Sequence, residues 1–208
     1  MVDAYSSSLT RTTPTTLATA RYGLAGASVG SYALFAGGYD GQVVVSAVEA
    51  YNGALTRSTA TTLSTARCYL AGAKAKDYII FAGGSDGTGS RSDTFATADA
   101  YSPSLTRSAP TALSSGRSEL AGASVGEYAL FCGGRHQEGS STRYENTADA
   151  YTYSEYSTYS LAVPPLSAYK FEGLHSGEQV TVTGTTLTGE GKLTGYIRAG
   201  GFTISGKQ

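Results

Sequence analysis

The chain has 208 residues and a formal net charge of -1, with only 15% of residues charged. It lacks Trp and holds 27 Gly and 16 Tyr beside abundant Ser, Thr and Ala. This excludes a basic field for nucleic acid, and no run of about 18 apolar residues offers a membrane span. Thr, Ser and Tyr suit β-structure, and apolar residues recurring in register argue against disorder.

The N-terminus carries no charged-then-apolar leader; Val2-Asp-Ala-Tyr is text found again inside the chain. Tyr5, Tyr51, Tyr101 and Tyr151 stand 46, 50 and 50 residues apart, and Arg21, Arg67 and Arg117 keep the same step. So do Gly37-Gly38, Gly83-Gly84 and Gly133-Gly134. A fixed period near 50 means one copied supersecondary unit that buries its apolar face against its neighbours. Residues 2–17 hold half a unit, and whole units cover about 20–65, 66–115 and 116–162. The partial unit is expected either to help close a ring or to mark a piece of a longer parent.

In the second unit, Leu70-Ala-Gly-Ala-Lys predicts a first strand and Tyr78-Ile-Ile-Phe-Ala a second, joined as a hairpin through Ala75-Lys76-Asp77. Gly83-Gly84 ends the second strand, since glycine permits positive φ and close backbone approach. A loop of variable length leads to a third strand ending at Tyr101, and a fourth runs from Ser104 toward Leu113. Four antiparallel strands per repeat describe a β-propeller blade. The Ala- and Gly-rich first strand fits the crowded innermost position. No apolar stripe of helical period occurs.

The spacing of Arg67, the Tyr78-to-Gly84 strand, Tyr101 and the polar strand after it resembles kelch repeats over about residues 1–160. The usual kelch Trp is missing; Leu-Thr-Arg (Leu9 to Arg11, Leu55 to Arg57, Leu105 to Arg107) stands about where it belongs. This Thr/Arg variant also resembles repetitive proteins of gut bacteria and their phages. The resemblance implies an all-β fold of kelch-like propeller blades, three full four-stranded blades plus a partial one, over residues 1–162.

Tyr151 to Tyr159 replaces the Leu-Thr-Arg strand, and Pro164-Pro165 closes that run. Beyond it, Glu178-Gln-Val-Thr-Val-Thr-Gly, Lys192 to Arg198 and Phe202-Thr-Ile-Ser predict hairpins, so residues 163–208 are assigned to a separate C-terminal β segment. Three and a half blades do not close, and open edges expose unpaired strand groups. The tail completing a fourth blade, two chains pairing their edges, and further repeats in a parent are the alternatives.

Arg21, Arg67 and Arg117 form either a ring of cations for an acidic ligand or scaffold arginines bonding carbonyls and the acid before each tyrosine (Asp3, Glu49, Asp99, Asp149). Recurrence in every unit favours the scaffold role, for them as for Arg11, Arg57, Arg107, Tyr5, Tyr51, Tyr101 and Tyr151. Variable loops after the double glycines are better binding candidates, through Tyr39, Arg91, Arg135, His136, Arg143 and Tyr144. Asp40-Gly41 and Asp86-Gly87 lack the alternating oxygens of a calcium loop and predict turns. His136 and His175, the two histidines, are far apart in sequence, whereas kelch-like copper oxidases need two histidines and tyrosines at the ring centre. No metal or cofactor is expected. Cys68 and Cys132 occupy non-equivalent positions and predict free, buried thiols rather than a disulfide.

No phosphate loop, nucleophile elbow or Cys-x-x-Cys occurs, and no histidine recurs beside the serines as a base. The expectation is a non-enzymatic interaction module on a phage particle or bacterial surface, binding protein or glycan through loops between second and third strands. The alternative is a structural protein whose open edges or C-terminal hairpins join copies into a homo-oligomer.

Overall fold

Alternating small and bulky residues across two-residue turns build the same hairpin in every repeat. The computed structural model describes residues 2–87, 93–139 and 141–152, and beyond them the backbone of five further strands. In chain order the strands are β1 (Ala4–Tyr5), β2 (Arg11–Thr12), β3 (Ala25–Val29), β4 (Tyr32–Ala36), β5 (Val48–Tyr51), β6 (Arg57–Thr59), β7 (Ala71–Ala75), β8 (Tyr78–Ala82), β9 (Ala98–Tyr101), β10 (Arg107–Ser108), β11 (Ala121–Val125), β12 (Tyr128–Cys132), β13 (Arg135–Glu138), β14 (Ser141–Tyr144), β15 (Ala148–Thr152), β16 (Ser157–Ala162), β17 (Gln179–Thr183), β18 (Thr186–Gly191), β19 (Tyr196–Ala199) and β20 (Phe202–Ser205). Among the described residues the protein is all-β, in small antiparallel sheets with no helix.

The chain divides into two compact units, Met1–Tyr153 and Ser154–Gln208. In the first, β3-β4-β5-β6 and β7-β8-β9-β10 are four-stranded sheets, β11-β12-β15 has three strands, and β1-β2 stands as a pair. The hairpin links turn at Gly30, Lys76 and Gly126, with φ of 54°, 48° and 56°. Three boundaries differ from the sequence reading: β7 runs Ala71–Ala75, one residue on from the expected Leu70 to Lys74, and two others shift further. Leu105 lies in the turn before the fourth strand, with φ 63° and its N–H donating to Ser102 O at 2.9 Å, so β10 begins only at Arg107. Ser157–Ala162, read above as the end of the last repeat, pairs instead with β18 in the second unit.

In that second unit β16-β18-β17 and β19-β20 are antiparallel sheets. Residues 163–178, with Pro164, Pro165 and His175, lie outside the described residues.

Within the first unit, each sheet packs one face on the next. Ala25, Val29, Leu34, Ala36, Val48 and Ala50 of the first sheet meet Ile79, Phe81 and Tyr101 of the second. The register repeats: Ala71, Ala73, Ala75, Ile80, Ala82, Ala98 and Ala100 meet Ala129 and Phe131 of the third. The first strands touch at backbone distance. A Cβ on Gly122 would lie 2.6 Å from Gly72 O, and one on Gly72 would lie 3.1 Å from Gly26 O. Small residues there are a packing requirement. Among the described residues the three sheets form no closed ring.

Candidate functional site

The repeated arginines are built into the sheets. Arg67 and Arg117 side chains are buried, and Arg67 donates to Asp99 Oδ2 at 2.8 Å and to Phe81 O at 3.0 Å. Arg117 donates to Asp149 Oδ2 at 2.7 Å and to Phe131 O at 3.1 Å. A second arginine reaches Asp99 from the fourth strand, Arg107 at 2.8 Å. In the first sheet the acid is Glu49, a methylene longer than Asp, and it stands 3.6 Å from both Arg21 and Arg57. Burial works against the Asp99 carboxylate, but hydrogen bonds from Arg107 and Arg67 outweigh it and hold its pKa below the usual carboxylate range.

The same acids fasten the link from the preceding repeat. Asp99 accepts from the Ser64 amide and hydroxyl, and Asp149 from those of Ser114. Tyr51, Tyr101 and Tyr151 donate to Thr15 O, Thr61 O and Thr111 O, each at 2.9 Å. Burial raises the Tyr101 phenol above its ordinary pKa and pushes Tyr151 up to about 12. The double glycines serve the same joints: Gly84, at φ 107°, donates its N–H to Arg117 O at 2.9 Å. A Cβ on Gly83 would stand 2.6 Å from that oxygen, and Gly38 makes the matching bond to Arg67 O. Gly37 and Gly133 also hold positive φ, as does Gly134.

Beside these joints lies a set of positions with constant backbone and changing side chains. Tyr22 bridges Tyr39, Cys68 bridges Ser85, and Ser118 bridges Arg135. The residue after each bridge, Gly23, Tyr69 or Glu119, takes a left-handed φ of 66°, 55° or 56°. The Tyr69 amide donates to Gly23 O at 2.7 Å and the Glu119 amide to Tyr69 O at 2.9 Å, tying neighbouring repeats together. Only the glycine is at ease in that conformation; Tyr69 and Glu119 hold it at a cost.

The side chains on this backbone form an aromatic group and an ion pair. Tyr22, 55% exposed, meets Tyr39 edge-on at a centroid distance of 5.6 Å and Tyr69 at 6.3 Å. Arg135 grips Glu119 with two bonds, Nε to Oε2 at 2.9 Å and one terminal N–H to Oε1 at 2.6 Å. That bond lowers the Glu119 carboxyl and raises the Arg135 guanidinium. The Glu119 amide, bonded to Tyr69 O, ties the backbone of the ion pair to that of the rings.

The variable stretch after Gly134 is more ordered than a loop. Arg135 to Tyr144 forms the hairpin β13-β14, with Arg135 opposite Tyr144 and His136 opposite Arg143. Arg143 pairs with Glu138 at 2.6 Å, and His136 Nδ1 lies 2.9 Å from Glu145 Oε1. Tyr144 is 83% exposed. Of the expected contact residues, Tyr39 and Arg135 belong to the bridged positions, and Arg91 lies outside the described residues. Tyr22, Tyr69 and Glu119 fall outside the variable loops, one or two residues past the repeated arginine, and their mismatch between repeats is the sequence signal that marks them.

Asp40 Oδ1 accepts from the Gln42 and Val43 amides, both at 2.8 Å, which is turn chemistry. Among the described residues no three His, Cys, Asp or Glu side chains converge as metal ligands, and no helix is long and apolar enough to cross a membrane. Both cysteines are free. Cys68 is buried as expected, but Cys132 is exposed, because its face of the third sheet has no sheet against it among the described residues.

No protein-family model matches the chain, and no curated protein does. Among solved structures it is similar to the structure of YjhT, with a TM-score of 0.62 at 15% identity, over 74% of this chain and 49% of that one. At such identity the likeness bears on fold alone, and this chain covers about half the length of that protein.

Proposed function

We propose that the chain is a non-enzymatic interaction module whose sheets are kelch-like propeller blades. It holds a protein or glycan ligand on the surface of Tyr22, Tyr39, Tyr69, Glu119 and Arg135. The observation that carries this reading is the set of bridged positions where the backbone repeats and the side chain does not. Residues needed only for folding repeat with the unit, as the arginine–acid pairs do. Tyrosine and arginine presented on rigid backbone are the side chains that dominate binding surfaces. Display on a bacterial surface or phage particle follows from the resemblance to repetitive proteins of gut bacteria and their phages.

Fluorescently labelled protein, applied to a glycan array and to intact bacterial cells, tests the reading. Tyr69→Ala combined with Arg135→Ala should weaken a detected interaction at least about tenfold. Thr59→Ala, exposed on the fourth strand of the first sheet, should leave it unchanged. A ligand that binds the double variant as tightly as the parent sinks the proposal.

A further inference from the structure

The interface between successive sheets is made twice inside the first unit, and half of it stands open at each end. On the third sheet, Ala121, Ala123, Val125, Tyr128, Cys132 and Ala150 are exposed, with Val125 at 60% and Tyr128 at 49%. Their counterparts in the second sheet, Ala71, Ala73, Ala75, Tyr78, Ala82 and Ala100, face the third sheet, and all but the partly buried Tyr78 are fully buried. The face is thus an Ala-lined bed shaped for a sheet, with no charged side chain among these six.

At the other end of the unit, Tyr5 is 66% exposed. Tyr51, Tyr101 and Tyr151 hold the same place in their repeats, and each rests against the preceding repeat with its hydroxyl on a carbonyl of the link. Tyr5 belongs to the pair β1-β2, whose Arg11–Asp3 bridge at 3.1 Å reproduces the Arg107–Asp99 bridge of the second sheet. The pair therefore presents the face that in the second and third sheets lies on the preceding sheet.

We propose that the exposed face of the third sheet is a docking surface for the β1-β2 pair of a second copy of this chain, with Tyr5 seated over Ala150 as Tyr151 lies beside Ala100. Within one chain these two halves do not meet, since Tyr5 and Val125 are both open. The contact continues the interface that already joins the first sheet to the second and the second to the third. It is heterologous, one copy giving its third sheet and the next its β1-β2 pair, so it propagates as a ring or an open row. It is independent of the ligand surface.

Light scattering of the full chain, from about 1 to about 100 μM, reads the assembly. The mass should rise with concentration to a dimer or larger. Alkylation of the exposed Cys132 thiol should slow in parallel, while buried Cys68 stays unreactive throughout. Ala150→Arg and Tyr5→Asp each change an exposed residue, so the fold should persist by circular dichroism while the mass falls to one chain. An equimolar mixture of the two variants retains one intact pair of faces and should give a dimer. A wild-type monomer at the highest concentration overturns the proposal. So does a variant that keeps the parent mass, or a mixture that stays monomeric.

Discussion

Each repeat sets one carboxylate against arginine, and the set of partners varies along the chain: two arginines and a serine meet at Asp99, two arginines and the Ala18 amide at Glu49, one arginine and a serine at Asp149. Asp99 is fully buried, with Arg67 and Arg107 both at 2.8 Å. Asp149 has Arg117 at 2.7 Å and a side chain 18% exposed, and no bond from a fourth-strand arginine is seen among the described residues. Removing one partner of a buried pair leaves the other charge stranded, which costs about 3–5 kcal/mol. Asp99→Asn should approach that range, since it strands two arginines, whereas Asp149→Asn should cost less because Asp149 is partly in water and pairs with one arginine. Urea midpoints at neutral pH compare the two. Both carboxyls are depressed in the folded chain: burial opposes this, and the hydrogen bonds from arginine and serine prevail. The unfolded chain then binds more protons in mild acid, so this stability is fully present above the ordinary aspartate pKa of about 3.9 and is lost as pH falls through the folded value. Acid titration followed by circular dichroism should show Asp99→Asn with a shallower loss below about pH 4 than the parent. Equal slopes would show that Asp99 is not a source of the acid sensitivity.

Between neighbouring sheets, the controlling distance is that from one first strand to the next. Gly122→Ala would put a methyl 2.6 Å from Gly72 O, and backbone on both sides leaves no cheap way to yield. Overpacking of this kind costs about 1–3 kcal/mol. Gly126→Ala is the matched control: it sits in a turn at φ 56° with open space around it, so only the conformational penalty of about 1 kcal/mol applies. Thermal unfolding should rank Gly122→Ala below Gly126→Ala, and the reverse order would show that the first strands are not in close contact. The repeat made this layer legible: Tyr78–Ala82 is the expected strand residue for residue, and the hairpin links fall where the small polar segments are. Other parts had no readable signal. Arg135 to Tyr144 is polar on both faces, so its hairpin rests on cross-strand hydrogen bonds that no hydrophobic alternation announces. The left-handed backbone at Tyr69 and Glu119 is hidden because neither residue type prefers it; only alignment with Gly23 betrays it. The surface proposed to bind a ligand is therefore half visible in the sequence, through Tyr39 and Arg135 in variable text.

A row of sheets that each lean on their neighbours has unequal stability along its length. The second sheet is covered on both faces: Ile79, Phe81 and Tyr101 pack on the first sheet, and Ile80, Ala82 and Ala100 on the third. The third has the same hydrogen-bonded ladder between β11 and β12 but only one covered face. Ladder geometry alone would give their amides equal protection. Burial makes the difference, because opening an end sheet sacrifices one interface and opening the middle one sacrifices two. Hydrogen exchange at low protein concentration should therefore find Tyr78–Ala82 slower than Tyr128–Cys132 by at least about tenfold, a gap of about 1.4 kcal/mol in local opening. Raising the concentration should narrow the gap if second copies cover the third sheet, since association protects only the state in which that face is formed. Equal protection in a dilute, monomeric sample would mean that the end face is already covered within the chain. The proposed docking surface would then be internal, and the assembly would have to be built on some other contact.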